Sequence, residues 1–183
     1  VVFNAASGTS RILSGGSAFY HLRTDGAATF ALSDILDVNG TLSLDAGTLS
    51  AGAYGITAAG NWTVGGGSFS AGTGTVTFDG VTALTSDGTS FNNVIVSRAL
   101  STEDDADING NFSVADTVET LLDIGGDTVS FSKNLTLTGL DSFVTTGSTV
   151  VFDGASFLTS AGHSFEGLEI GSLSVGGVLT LVD

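Results

Sequence analysis

The sequence contains no cysteine, no proline and no methionine among its 183 residues. Without cysteine, disulfides and thiolate metal ligands are excluded. The lack of proline suits a β-sheet, in which nearly every backbone N–H is needed for a hydrogen bond. Because the first residue, Val1, is not methionine, we expect that a leader was removed or that the chain is a piece of a longer one.

Basic residues and long apolar runs are also scarce. Four bases (Arg11, Arg23, Arg98 and Lys133) stand against 19 acidic residues, which gives a net charge of −15. Nucleic acids and anionic membrane surfaces both attract basic patches, so the charge argues against either as a partner. No stretch approaches the roughly 20 apolar residues of a membrane-spanning helix. The acidity is compatible with an extracellular protein, whose solubility it would aid.

The dominant positive feature is an internal repeat. Residues 75–97 (TVTFDGVTALTSDGTSFNNVIVS) return at 149–171 as TVVFDGASFLTSAGHSFEGLEIG, and more loosely at 1–24. Phe78 and Phe152 occupy equivalent positions in these copies, and repetition at a fixed period indicates a repeat architecture. We therefore predict a single domain, 1–183, built from the modules 1–74, 75–148 and a partial 149–183.

Within the repeated blocks, apolar and polar residues alternate with a period of two. In the segment 93–97, Val94 and Val96 are expected to face the core and Ile95 the outside. Such alternation is typical of a half-buried β-strand. Short β-branched runs separated by Gly, Asn and Asp indicate strands joined by tight turns.

These patterns predict an all-β protein, a parallel β-helix (β-solenoid) in which each strand pairs with the equivalent strand of the next coil. Coils of roughly 20–25 residues would place three coils in each module and make a rod about 35–40 Å long, at ~4.8 Å per coil. An antiparallel β-sandwich also uses many short strands and is the alternative.

Both ends of the chain are expected to be apolar strands without a capping element. Unpaired strand edges promote association, and head-to-tail stacking that does not close produces a filament. The expected partner is therefore a second copy in a homopolymer or further coils of a longer parent chain. The expected interface consists of Val1, Val2, Phe3, Val178, Leu179, Leu181 and Val182.

The segments GTVTFDG (74–80) and LTSDGTSFNNVIV (84–96), with the glycine-rich stretch 51–80, carry a family resemblance. The chain resembles the repeats of very large secreted bacterial surface proteins, the repetitive β-solenoid proteins of filamentous-haemagglutinin-like or adhesin-like type. The resemblance covers almost the whole chain and is weakest at 98–131. It implies a stalk, fibre or adhesive surface at the bacterial cell surface, and it provides no catalytic residues to transfer.

One dense acidic cluster is a candidate metal site. Ca²⁺ binds several carboxylate oxygens at once, so the cluster predicts a Ca²⁺ site. A solvated loop is the alternative, because the spacing does not match an EF-hand or a calcium-binding nonapeptide repeat. No other cofactor is expected. The cluster consists of Glu103, Asp104, Asp105 and Asp107.

The remaining candidates have structural explanations. Trp62 falls on the inward register and is expected in the core rather than on a sugar. His21 and His163 are not equivalent in the repeat, so no metal site or catalytic triad is expected from them. Asp79 and Asp153 follow phenylalanine in repeated turns. Four glycosylation sequons match by chance in Thr-rich strands, at Asn39, Asn61, Asn111 and Asn134.

We expect a non-enzymatic structural protein that forms an extracellular surface fibre or stalk through its uncapped ends. The alternative is an adhesin-type module that binds a surface glycan or a protein on its flank. A polysaccharide lyase or hydrolase is least favoured. A lyase needs basic groups against its anionic substrate, and this chain has only four bases.

Overall fold

The computed structural model describes residues 1–115, 118–154 and 156–171, and the backbone of residues 179–182. Every strand pairing in this part of the chain is parallel. The described residues include no helix. The predicted parallel β-solenoid is therefore confirmed, and the antiparallel sandwich is wrong.

The strands form three sheets that run along the solenoid. Sheet A joins β1, β2, β3, β5, β7, β8, β10, β13, β16 and β19; sheet B joins β4, β6, β9, β12, β15, β18, β21 and β23; sheet C joins β11, β14, β17, β20 and β22. The bounds are β1 (Val2–Phe3), β2 (Thr9–Ile12), β3 (Leu22–Leu32), β4 (Leu36–Val38), β5 (Leu42–Ser50), β6 (Ile56–Ala58), β7 (Trp62–Val64), β8 (Ser68–Ser70), β9 (Thr75–Phe78), β10 (Val81–Thr85), β11 (Ser90–Phe91), β12 (Asn93–Val96), β13 (Ala99–Thr102), β14 (Ala106–Ile108), β15 (Phe112–Val114), β16 (Leu121–Asp123), β17 (Thr128–Phe131), β18 (Leu135–Thr136), β19 (Ser142–Val144), β20 (Thr149–Phe152), β21 (Ser156–Thr159), β22 (Gly167–Ile170) and β23 (Leu179–Val182).

Each coil has three legs. From β10 to β21 the chain passes through sheet A, then sheet C, then sheet B in each turn. In the earlier coils the first two legs share sheet A. There β3 and β5 pair through two separate stretches, with a register shift between them, and β8 pairs with the second stretch of β5.

The interior is filled by the inward rows of the sheets. On sheet B the partners along one row succeed each other as Leu36, Ile56, Val76, Val94, Phe112, Leu135 and Leu158, all of them buried. Burying one such side chain contributes roughly 1.5–3 kcal/mol. Val94 and Val96 are buried with Ile95 half-exposed between them, as predicted, and Trp62 is 0% exposed.

The sequence repeat does not correspond to a whole number of coils. Phe78 lies in β9 on sheet B, and its equivalent Phe152 lies in β20 on sheet C, eleven strands further along the chain. With three legs per coil, one module spans three coils and two thirds of a fourth. Phe3, the first-copy equivalent, lies in β1 on sheet A. The expectation of three whole coils per module is therefore wrong, and successive copies place equivalent residues on different faces.

At the corner between sheets B and A the coils approach so closely that only glycine fits. A Cβ atom built on Gly60 would lie 2.6 Å from the backbone C and O atoms of Gly40. On Gly80 it would lie 1.9 Å from the backbone O atom of Ala59. The glycine content of the sequence is in part a packing requirement of the coil stack.

Candidate functional site

The acidic cluster lies at the corner between sheets A and C, where its carboxylates point to different partners. Asp104 accepts hydrogen bonds from the backbone N–H groups of Ser86 and Asp87, in the preceding coil, both at 2.7 Å. Asp105 accepts one from the backbone N–H of Thr128, in the following coil, also at 2.7 Å. The cluster residues thus join three successive coils.

The other two members of the cluster have local partners. Glu103 accepts a hydrogen bond from the Ser101 hydroxyl at 3.4 Å, and Asp107 accepts one from the Asn109 amide at 3.2 Å. Among the described residues, no group of three or more His, Cys, Asp or Glu side chains is placed to hold a metal ion. The Ca²⁺ site stays a prediction.

The contact made by Asp104 recurs along the solenoid. In each case a carboxylate in one coil accepts a backbone N–H from a turn of the preceding coil. These turns contain residues with positive φ, such as Gly15, Asp87 and Gly147. Turns of this kind point successive N–H groups into a concavity that favours an anion. We call the four residues the turn-bracing carboxylates: Asp34, Asp104, Asp141 and Glu166.

Two of the turn-bracing carboxylates have a lowered pKa. For Asp34 the largest cause is the hydrogen bond from the Ser14 backbone, at 2.9 Å, aided by the Gly15 backbone at 2.7 Å. For Asp141 the largest cause of the lowered pKa is the hydrogen bond from the Thr120 backbone, at 2.8 Å. Hydrogen bonds to the ionised form stabilise it, so these two carboxylates hold the coils together in the charged state.

Two other aspartates have the opposite shift. Burial raises the pKa of Asp107, and the nearby Asp153 carboxylate raises it further. Burial also raises the pKa of Asp79, with a smaller repulsion from Asp37. The Ser132 hydroxyl lies 2.7 Å from Oδ1 of Asp153. The sequence-based assignment of Asp79 and Asp153 to turns did not foresee these pairings of like charges between coils.

The asparagines of three sequons have a structural role. Oδ1 of Asn61 accepts the backbone N–H of Ala83, and Oδ1 of Asn134 accepts that of Phe157. Asn111 contacts the backbone N–H of Asn134 in the same way, at 3.4 Å. Each amide side chain thus extends the coil-to-coil ladder at the point where a strand begins.

The two histidines also serve the coil stack. Nδ1 of His21 accepts the backbone N–H of Thr41 at 2.8 Å, and Nε2 of His163 lies 3.0 Å from the Leu140 carbonyl. The two rings lie in different coils, near opposite ends of the chain, so the structure does not bring them together.

The first coil leaves a strand edge at one end of the solenoid. β1 pairs with β3 on one side, while Val1 and Val2 are 61% and 55% exposed. Phe3 is half-buried and packs against the rings of Phe19 and Phe30, with centroids 6.2 and 5.9 Å away.

At the other end, β22 pairs with β20 and β23 pairs with β21. Leu168 and Ile170 of β22 are half-exposed, at 48% and 55%. Val178, which was expected in the interface, lies outside the described residues. For Leu179, Leu181 and Val182 only the backbone is described, and it continues sheet B.

A groove opens where one ladder of strands is interrupted. In the second leg of the coils, β8 pairs with β5 before it, and β11 pairs with β14 after it. In the described residues no pairing joins β8 to β11, so the ladder of second-leg strands is interrupted between them. A groove of about 310 Å³ lies at this interruption. Its lining is uncharged and includes Ser70, Ser90, Asn92 and Asn109 over a floor of Phe69 and Phe91. We call it the ladder-break groove.

Comparison of the chain with protein-family models, with curated proteins and with solved structures finds no match. The resemblance to filamentous-haemagglutinin-like and adhesin-like proteins therefore stays a prediction. Among the described residues, no helix has the length and apolar character needed to cross a membrane.

Sequence reasoning missed both the turn-bracing carboxylates and the ladder-break groove. The turn-bracing carboxylates have a sequence pattern, an acidic residue about one coil after a turn. This pattern can be recognised only when the coil length is known. The sequence pattern of the groove is weaker. The number of residues from Trp62 to its strand partner Leu84 is larger than the number from Leu42 to its partner Trp62.

Proposed function

We propose that this chain is a structural segment of an extracellular fibre or stalk, extended by stacking β coils end to end. The observation that carries the proposal is the strand edge of β1, where exposed Val1 and Val2 stand beside a half-buried Phe3. An edge strand presents unpaired backbone N–H and C=O groups, and apolar side chains beside them favour pairing with another strand. The partner is a strand from a further coil, in a second copy or in adjoining chain.

The interior supports a mechanical role. The core runs along the solenoid from Ile12 to Leu158 as one cluster of buried apolar residues. Parallel ladders connect successive coils from β1 to β19 on sheet A and from β4 to β23 on sheet B. A load along the axis is therefore shared by several strand pairs at every level, apart from the second-leg ladder at the break.

Electron microscopy of the purified chain at several concentrations, with and without Ca²⁺, tests the proposal. We expect rods of constant width that lengthen with concentration. The test variant is Val2→Lys, which places a charge on the β1 edge, where lysine opposes pairing. We expect this variant to remain short.

The matched control is Val81→Lys. Val81 is 68% exposed and lies in β10, in the middle of the stack, where it pairs with Ala99. The same charge change there should leave the lengthening intact. Single short rods at every concentration for the unmodified chain, or lengthening that Val2→Lys does not reduce, would contradict end-to-end stacking.

A further inference from the structure

We propose that the ladder-break groove binds a neutral saccharide. The proposal is independent of end-to-end stacking, because the groove lies on the flank of the solenoid between the fourth and fifth coils. It rests on the interrupted ladder and on the chemistry of the groove lining.

The lining offers hydrogen-bonding groups that have no partner in the described part of the chain. The hydroxyls of Ser70 and Ser90 and the Oδ1 atom of Asn92 make no hydrogen bond there, while Nδ2 of Asn92 donates to the Gly74 carbonyl at 3.3 Å. Hydroxyl and amide groups both donate and accept, as sugar hydroxyls do. The groove volume of about 310 Å³ falls at the lower end of the usual range for small-ligand sites.

Asn109 is held in position for such contacts. Its Nδ2 donates to Asp107 at 3.2 Å, and its Oδ1 lies 3.1 Å from the Ser132 hydroxyl. The hydrogen bond to Asp107 restrains the amide plane and leaves the second hydrogen of Nδ2 for a ligand. A polar group fixed by its neighbours loses less freedom on binding than an unrestrained one.

The electrostatics favour a neutral ligand. No lining residue is charged, whereas the chain as a whole carries −15. An acidic sugar would be repelled by the surrounding field without a basic residue in the groove to compensate.

The groove cannot admit a β-strand from another protein. The rings of Phe69 and Phe91 touch across its floor, with centroids 5.5 Å apart. The backbone N–H of Asn93 already lies 3.5 Å from the Gly74 carbonyl beside it. A strand inserted between β8 and β11 would need about 4.8 Å on each side. A compact ligand on the rim is therefore the occupant that the geometry accommodates.

Trp62 lies directly behind the groove floor. Its Nε1 is buried and has no hydrogen-bond partner in the described part of the chain. The Trp62 ring lies 4.9 Å from that of Phe69 and 5.4 Å from that of Phe91. Trp62 is the one tryptophan of the chain, so its fluorescence reports on the groove floor.

The test is a titration of the intact chain with glucose, galactose, mannose and N-acetylglucosamine, and with galacturonate as the acidic comparison. We expect at least one neutral sugar to change Trp62 emission saturably in the millimolar range. The backbone amide signals of 69–72 and 90–92 should shift in the same titration. Galacturonate should produce neither change.

The variant Ser70→Ala/Ser90→Ala removes both free hydroxyls and should weaken binding about tenfold. The matched control Ser113→Ala/Ser130→Ala removes two hydroxyls on the outer rows of sheets B and C, away from the groove, and should bind normally. Circular dichroism verifies that both variants keep the fold. The proposal is overturned if no neutral sugar gives a saturable change, if galacturonate binds equally well, or if the groove variant binds like the control.

Discussion

The first four coils and the later coils differ in how their legs are connected and in how regularly strand partners are spaced along the chain. In the early coils, sheet partners recur at a constant spacing, as in Leu22, Leu42 and Trp62, and the long strands β3 and β5 continue through two legs. In the later coils the spacing on sheet B varies, and the step from Val76 to Val94 is shorter than the step from Leu135 to Leu158.

The two regions also differ in what holds their corners. Most of the glycines at which an added Cβ atom would clash with the backbone of the preceding coil lie between Gly26 and Gly80. Three of the four turn-bracing carboxylates, in contrast, come later in the chain than Gly80. A constant coil length allows corners to stack directly on glycine. A variable coil length produces turns of unequal size, which the carboxylates connect to the next coil.

The largest effect is expected from an added methyl group in the early coils. Gly60→Ala forces a Cβ against the backbone of Gly40, whose atoms have no rotamer by which to move away. We expect the free energy of unfolding to fall by about 3 kcal/mol, as for severe overpacking. Denaturant unfolding followed by circular dichroism measures it.

Gly65→Ala is the matched control for this change. A Cβ there meets nothing closer than a carboxylate oxygen of Asp45, at 3.9 Å. Equal losses for both variants would show that the corner of Gly60 is not a close-packed stack.

The junction between the two regions should respond to removal of an unsatisfied hydroxyl. Thr82→Val replaces a buried Oγ1 that has no hydrogen-bond partner among the residues that the structure describes, so we expect the free energy of unfolding to rise by about 1 kcal/mol. Thr102→Val, one coil later, removes a hydroxyl that donates to Asp127 at 2.6 Å, and we expect a loss of about 1–2 kcal/mol. Thermal or chemical unfolding of the two variants side by side would decide this. Changes of the same sign would contradict the assignment of Thr82 as unsatisfied.

Replacing either of two carboxylates of the later coils should change the melting temperature by a smaller amount, and the two changes should have opposite signs. Because the pKa of Asp141 is lowered in the fold, its ionised form stabilises the protein above the unfolded-state value of about 3.9. That contribution is lost as the pH falls through the lower, folded-state pKa. Asp141→Asn should therefore lower the melting temperature at pH 7 and have little effect in strong acid.

For Asp107 the expected change in melting temperature has the opposite sign. Its pKa is raised by burial and by Asp153, so the folded protein holds this proton more tightly than the unfolded chain does. Ionisation thus costs stability as the pH rises above about 3.9. Asp107→Asn should raise the melting temperature at pH 7 and give no such gain near pH 3. Melting curves across this pH range for both variants provide the measurement, and a destabilised Asp107→Asn at neutral pH would contradict the account.

The sequence was sufficient for the fold class but not for the way the repeat fits the coils. Alternation around Val94 and Val96 indicates which side faces the core, and Trp62 is correctly assigned to the interior. The period of the repeat, however, does not reveal how many legs it contains. Phe78 and Phe152 have the same inward register on different sheets, so the local pattern is identical in both places.

The candidate sites were harder to predict, because they depend on contacts between coils. The Asp104 carboxylate could bind a cation or accept a hydrogen bond from a backbone N–H of a turn. Which of the two it does depends on the residue that lies one coil earlier, and here that residue is Ser86. The ladder-break groove depends on the absence of pairing between β8 and β11, which no residue type in either strand indicates.

Small-angle X-ray scattering over a concentration series tests the central claim, that coils of this chain stack end to end, most directly. The account predicts that the cross-sectional radius of gyration stays constant while the length grows in steps of about 40 Å, the height of eight coils at ~4.8 Å each. Growth of the cross-section, which indicates side-by-side association, or a length that stays at one such step at every concentration would contradict it.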